Sequence, residues 1–126
     1  MVMENRIATS LEQSKKLIEL GIGIDTADMY YSCGAVAPDV MTSSKQDYKC
    51  YTVCWSLSAL LSLMPKLYEF ENDPSDGGCQ PNLCKGWDNN QWHIVYRSSI
   101  YITEWYDNPL DAAFEMICWL KENNKI

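Results

Sequence analysis

The strongest constraint on the fold is a helix signal near the C-terminal end. Asn108 is followed by Pro109, a pair favoured at the cap and first turn of a helix, and Asp111 falls near the positive end of the helix dipole. Apolar residues then recur at helical spacing, at Leu110, Ala113, Phe114, Ile117 and Leu120. We therefore predict a helix over residues 108–122 with one face packed on a core.

Capping residues indicate two further helices. Overlapping capping boxes begin at Thr9 and at Ser10, and the apolar spacing that follows them ends at Gly21, which predicts a helix over about residues 10–20. Ser56 fits the cap of a short apolar helix over residues 57–64 that stops at Pro65.

Strands are predicted from alternation and aromatic content. Residues 48–53 and 66–71 fit short strands, and residues 91–98 and 99–106 fit two strands rich in Trp, Tyr, Ile and Val. Turn-forming residues predict loops at 32–46 and, as a long surface loop, at 72–90, while 25–31 is treated as an ordered loop. The order predicts one α+β domain, residues 1–126, with about three helices on one face of a small antiparallel sheet.

Charge and hydropathy restrict the classes of partner and the cellular compartment that we expect. The formal net charge is −7 and the ten basic residues are scattered, so no basic stripe is present to follow a nucleic-acid polymer. No apolar run is long enough to span a membrane, and the first ten residues lack the layout of a secretory signal. We expect a cytoplasmic protein with no membrane partner.

Six cysteines are expected to be mostly reduced thiols in that compartment. Cys54 and Cys118 lie in apolar helical patterns, where a free cysteine behaves as a small hydrophobic residue. A disulfide between Cys79 and Cys84 is the alternative.

Motifs for catalysis and metal binding are not evident in the sequence. His93 is the single histidine, the cysteine spacings differ from those of zinc knuckles, and the acidic clusters lack the pattern of a calcium loop. Nucleophile elbows and phosphate-binding glycine loops are also missing. We expect no metal, no cofactor and no enzymatic activity, with a thiol site using His93 as an alternative that no motif favours.

Aromatic residues are the most informative feature for binding. Five tryptophans and eight tyrosines exceed the needs of a small core, so many are expected near the surface, where rings can stack on a flat ligand. The predicted site uses these rings for stacking and two cations for an anionic group: Tyr30, Trp55, Trp87, Trp92, Trp105 and Tyr106, with Lys85 and Arg97. An aromatic-rich sheet packed on its own helices explains the same pattern.

Several segments resemble a group of uncharacterised short proteins from gut-bacterial phages and mobile elements. These segments are residues 9–17, 26–29, 55–61 with Met64 and Pro65, 111–113 and 115–117, and the resemblance covers most of the chain outside 72–90. It carries no catalytic motif, and it implies an accessory protein of the kind that often blocks host defences.

With that resemblance, the aromatic surplus leads us to expect a non-enzymatic protein that binds and sequesters a small nucleotide-like ligand, as a possible homo-oligomer. The alternative is a protein-interaction module that inhibits one host protein through an aromatic, acidic surface.

Overall fold

The chain combines α-helices with antiparallel strands, which confirms the predicted α+β class. The computed structural model describes residues 7–32, 39–40, 51–65, 80–96 and 101–126. In chain order these ranges contain α1 (Leu11–Glu19), a 3-10 helix (Ile24–Thr26), β1 (Met29–Ser32), β2 (Asp39–Val40), β3 (Tyr51–Cys54), α2 (Leu57–Ser62), β4 (Pro81–Lys85), β5 (Trp92–Tyr96), β6 (Tyr101–Ile102) and α3 (Pro109–Glu122).

The α-helices begin where the capping residues predict. Of the two overlapping boxes, Ser10 closes one with Gln13: each side chain accepts a hydrogen bond from the other residue's backbone N–H. The Ser56 hydroxyl caps α2, and Asn108 caps α3 with Pro109 in the first turn. Because a cap satisfies N–H groups that the helix leaves unpaired, these local signals place each start within one residue.

The strands form two three-stranded antiparallel sheets, whereas the sequence pattern predicts one. The first sheet has the order β2-β1-β3, and the second has the order β4-β5-β6. In the second sheet, β4 pairs with β5 over five residues, from Pro81 opposite Tyr96 to Lys85 opposite Trp92. This register positions the candidate site described below.

Segments predicted as loops contain strands. Residues 25–31 form parts of the 3-10 helix and of β1. In β1, Met29, Tyr30 and Tyr31 are all buried, so this strand shows no alternation with polar residues in the sequence. β2 lies within the predicted loop 32–46, and β4 lies within the predicted loop 72–90. Pro81 is compatible with β4 because it occupies the first position of the strand. The predicted strand 66–71 lies outside the described residues.

One hydrophobic cluster joins the helices to the second sheet. α3 supplies six side chains that are at most 2% exposed, and they share the cluster with Ile94 and Tyr96 of β5 and with Leu17 and Leu60 of α1 and α2. Cys54 belongs to a smaller cluster and lies in β3, which corrects its assignment to a helix. In the described part of the chain, no helix is both long enough and apolar enough to cross a membrane.

Candidate functional site

Two of the predicted ligand-binding residues are core residues. Trp55 is 0% exposed, and its ring N–H donates a hydrogen bond to the Thr26 hydroxyl at 2.9 Å. Tyr30 is 3% exposed on β1. Neither ring presents a surface to a ligand, which corrects their assignment to a surface site. Arg97 lies outside the described residues.

The other five predicted residues gather at one end of the second sheet. Lys85 and Trp92 are opposite each other on β4 and β5, and the Lys85 ammonium nitrogen lies 5.5 Å from the centre of the Trp92 ring. Trp92 and Tyr106 exchange two backbone hydrogen bonds of 2.7 and 2.8 Å. Trp87 follows β4 in the turn to β5, and Trp105 immediately precedes Tyr106.

The turn between β4 and β5 exposes Trp87. The Gly86 N–H donates to the Gln91 carbonyl at 2.8 Å, and the Asn89 side-chain oxygen accepts the Gln91 N–H at 3.1 Å. A Cβ at Gly86 would overlap the Asn89 side chain, and Asn90 has a φ of 56°, a left-handed conformation that asparagine tolerates. Trp87 is 98% exposed at the tip.

A one-residue bulge separates β6 from Tyr106. Val95 lies opposite Ile102, and Trp92 lies opposite Tyr106, so two residues on β5 face the three residues 103–105. This count is that of a β-bulge, which locally redirects side chains. The bulge is therefore the feature that sets the orientation of the segment carrying Trp105.

His93 and Trp105 stack on the outer face of the second sheet. Their ring centroids are 3.9 Å apart and their planes are 11° from parallel. Because side chains alternate along a strand and Ile94 is in the core, His93 and Val95 point to the face away from it. Ile102, opposite Val95, is 55% exposed and Trp105 is 41% exposed. We name His93, Val95, Ile102 and Trp105 the outer patch.

Cys84 lies directly opposite His93 on the same sheet. It is a free thiol, and its Sγ lies 3.8 Å from the Asn82 carbonyl oxygen. Cys79, its partner in the alternative disulfide, lies outside the described residues. His93 Nδ1 is buried and has no hydrogen-bond partner among the residues that the structure describes. Over the same residues, no three His, Cys, Asp or Glu side chains group in a way that could hold a metal ion.

Glu115 of α3 forms hydrogen bonds with the segment that carries Trp105. Its carboxylate accepts hydrogen bonds from the Tyr101 and Tyr106 hydroxyls, each at 2.7 Å, and from the Glu104 N–H at 3.1 Å. These three donors lie on both sides of Trp105 in the chain. One side chain from a packed helix thus connects to the whole segment 101–106.

Both tyrosines are held in the protonated form. Burial, the hydrogen bond to Glu115 and nearby carboxylates, with burial the largest cause, raise the pKa of Tyr101 to about 12. The same causes, again led by burial, raise the pKa of Tyr106 well above its ordinary value. At neutral pH both hydroxyls therefore donate to Glu115.

Sequence reasoning missed Glu115, Tyr101 and Ile102 as site residues. A weak signal exists for Glu115, because Asp111 and Glu115 are four residues apart on α3 and share one helix face next to an aromatic strand. The contacts of Tyr101 and Ile102 depend on strand register, which no local pattern specifies.

The surroundings of the outer patch are acidic. Glu104 precedes Trp105, Asp88 follows Trp87, and Asp107 accepts a hydrogen bond from the Gln91 side chain at 3.1 Å; all three carboxylates are on exposed residues. Across residues 80–96 and 101–108, Lys85 is the one Lys or Arg in the sequence. Among the described residues at this end of the sheet, exposed carboxylates therefore outnumber cations.

Comparison of the chain with protein-family models, with curated proteins and with solved structures finds no match. Function is therefore inferred from the geometry of the site.

Proposed function

We propose that this chain is a non-enzymatic, cytoplasmic interaction protein that docks one basic protein segment on the outer patch. The observation that carries the proposal is the exposure of Trp105 and Ile102 on one sheet face. Tryptophan is enriched among residues that dominate binding energy at protein interfaces, and apolar side chains around it exclude water.

Charge identifies the kind of partner. Exposed Glu104, Asp88 and Asp107 lie at the same end of the sheet, and the whole chain has a net charge of −7. Complementary charge speeds association and selects partners. A segment that places an apolar side chain against Trp105 and Lys or Arg near these carboxylates matches the surface in both respects.

The sequence resemblance suggests a setting for this binding. In an accessory protein of a phage or mobile element, docking on a basic surface of one host protein would block that surface. An acidic protein competes well for surfaces that otherwise bind nucleic acid, because its charge resembles that of the displaced polymer.

A nucleotide-like ligand is the second candidate. It is favoured by the Lys85 ammonium beside the Trp92 ring, with the exposed ring of Trp87 in the adjoining turn. It is disfavoured by the burial of Trp55 and Tyr30 and by the carboxylates around the outer patch.

A selection of random displayed peptides on the immobilised protein tests the proposal. The peptides of interest are those that the wild-type chain retains and that counter-selection on Trp105→Ala depletes. We expect them to be enriched in Lys and Arg around an apolar anchor. Their affinity is expected to fall by roughly tenfold or more in Trp105→Ala and to weaken with added salt.

The matched control is Ile24→Ala, because Ile24 is 57% exposed but belongs to the 3-10 helix. Retained affinity in this variant would show that loss of exposed apolar area alone does not explain the weaker binding of Trp105→Ala. The proposal is overturned if selection shows no dependence on Trp105. A rise in melting temperature with linear or cyclic nucleotides, with intact ligand recovered, would support the second candidate instead.

A further inference from the structure

The segment carrying the outer patch is fixed from the core side of the sheet. The Glu104 N–H lies immediately before Trp105 in the chain and the Tyr106 hydroxyl immediately after it, and both donate to Glu115 Oε1 at 3.1 and 2.7 Å. Glu115 Oε2 accepts from Tyr101, the residue next to Ile102. One carboxylate thus binds next to both exposed apolar residues of the patch.

The carboxylate is itself held by a rigid element. α3 runs from Pro109 to Glu122, and the neighbours Met116 and Ile117 of Glu115 are 0% exposed in the core. Trp119, one turn after Glu115, stacks on the Tyr101 ring with centroids 4.5 Å apart. Glu115 therefore connects the bulged segment to the most firmly packed helix of the described chain.

We infer that Glu115 is the positioning residue of the outer patch: its three hydrogen bonds hold Trp105 stacked on His93 in the arrangement that a partner meets. The inference rests on the proposed function, since positioning matters only if the patch binds. A surface held in its bound conformation loses less conformational entropy on binding, so loosening it weakens affinity without removing a contact.

His93 provides a direct reporter on the free protein, because it is the only histidine in the chain. Its ring protons lie against the Trp105 ring, so the ring current shifts their NMR signals away from those of an unstacked histidine. In Glu115→Gln, which keeps the side-chain shape and removes the charge, these signals are expected to move toward the unstacked positions. Peptides selected on the wild-type patch are expected to bind about tenfold more weakly.

Glu122→Gln is the matched control. It makes the same change of charge on the same helix at an exposed residue. The His93 signals and peptide affinity of this variant are expected to match the wild type. Tyr101→Phe and Tyr106→Phe each remove one donor to Glu115, and each is expected to give a smaller shift in the same direction. They also provide the test if Glu115→Gln does not fold.

The outcomes separate this inference from the proposed function. If Glu115→Gln lowers the melting temperature but leaves the His93 signals in place, Glu115 is structural and the inference fails. If the His93 signals move and the affinity of the Trp105-dependent peptides does not, Glu115 positions the stack but this positioning does not affect binding, so the inference fails and the proposed function stands. The proposed function fails separately, if selection on the wild-type chain shows no dependence on Trp105.

Discussion

Thr9 and Trp55 are joined through both backbone and side chain. The Thr9 N–H donates to the Trp55 carbonyl at 2.8 Å, and the Trp55 N–H donates to the Thr9 hydroxyl at 3.1 Å. Ser14 donates its hydroxyl proton to the Ser10 carbonyl at 2.7 Å, so in the Thr9–Ser14 contact of 2.8 Å the proton comes from Thr9. The result is a series of hydrogen bonds that connects the residue after β3 to α1.

Replacement of Thr9 by Val tests this series of hydrogen bonds. The substitution keeps the side-chain shape but leaves the buried Trp55 N–H without its acceptor, because Thr9 and Trp55 are both 0% exposed. An unpaired buried group costs about 1–3 kcal/mol. We expect the free energy of unfolding, measured with urea, to fall by that amount.

Thr9→Ser is the control, because it keeps the hydroxyl and removes one methyl group. It is expected to cost clearly less than Thr9→Val. Equal losses would mean that packing of the methyl group, and not the series of hydrogen bonds, explains the effect.

The helices could be predicted from sequence, but the two sheets could not. Caps such as Ser10, Ser56 and Asn108 act on N–H groups within one turn, so their effect is local. β1 and β4 show no alternation, and each becomes a strand through pairing with β3 or β5. Whether the partner is distant in the chain, as β3 is from β1, or follows the next turn, as β5 follows β4, the pairing cannot be read from the residues of one strand alone.

Part of the candidate site was also predictable. The aromatic surplus pointed to Trp87, Trp92 and Trp105, which lie at the same end of the second sheet. Residue type could not separate Trp105 from Trp55, since exposure is decided by tertiary packing: Trp105 is 41% exposed and Trp55 is 0% exposed. The stack of Trp105 on His93 depends on the bulge, a register feature.

Gly86 and Asn89 are expected to be energetically coupled in the β4–β5 turn. Gly86→Ala adds a Cβ that overlaps the Asn89 side chain, which must move and lose its hydrogen bond from the Gln91 N–H, so the substitution is expected to destabilise the protein by about 0.5–1.5 kcal/mol. In an Asn89→Gly background the overlap is gone, and the same substitution should cost much less. A double-mutant cycle from denaturant unfolding measures the difference. Additive effects would show that the turn relaxes without strain.

Tyr96 and Tyr101 predict a loss of stability at alkaline pH. Burial is the main cause that raises the pKa of each from 10.0 to about 12. Between these values the unfolded chain releases protons that the folded chain retains, so the free energy of unfolding is unaffected by these groups below about pH 10 and falls as pH rises toward 12. In Tyr101→Phe, the free energy of unfolding should fall less steeply with pH than in the wild type. Phenolate absorbance of the folded protein, followed against pH, checks these raised pKa values. Titration of every tyrosine near pH 10 would contradict them.

Cys54 and Cys118 are expected to resist alkylation in the folded protein. Burial first, and then the charge of Asp28, raises the pKa of Cys54 to about 12. Burial and the charges of Glu122 and Glu115, opposed by Lys16, raise the pKa of Cys118 to about 11. Since the thiolate is the reactive form, both should react slowly with iodoacetamide near pH 8.

Peptide mass spectrometry after brief labelling gives the measurement for these thiols. Partly exposed Cys84 is expected to react before fully buried Cys54 on grounds of access, and both are expected to react rapidly once the chain is unfolded in denaturant. Early modification of Cys54 in native conditions would mean that β3 opens on the labelling timescale. Thr9→Val should then speed that reaction further, because Thr9 pairs with the residue that follows Cys54 in the chain.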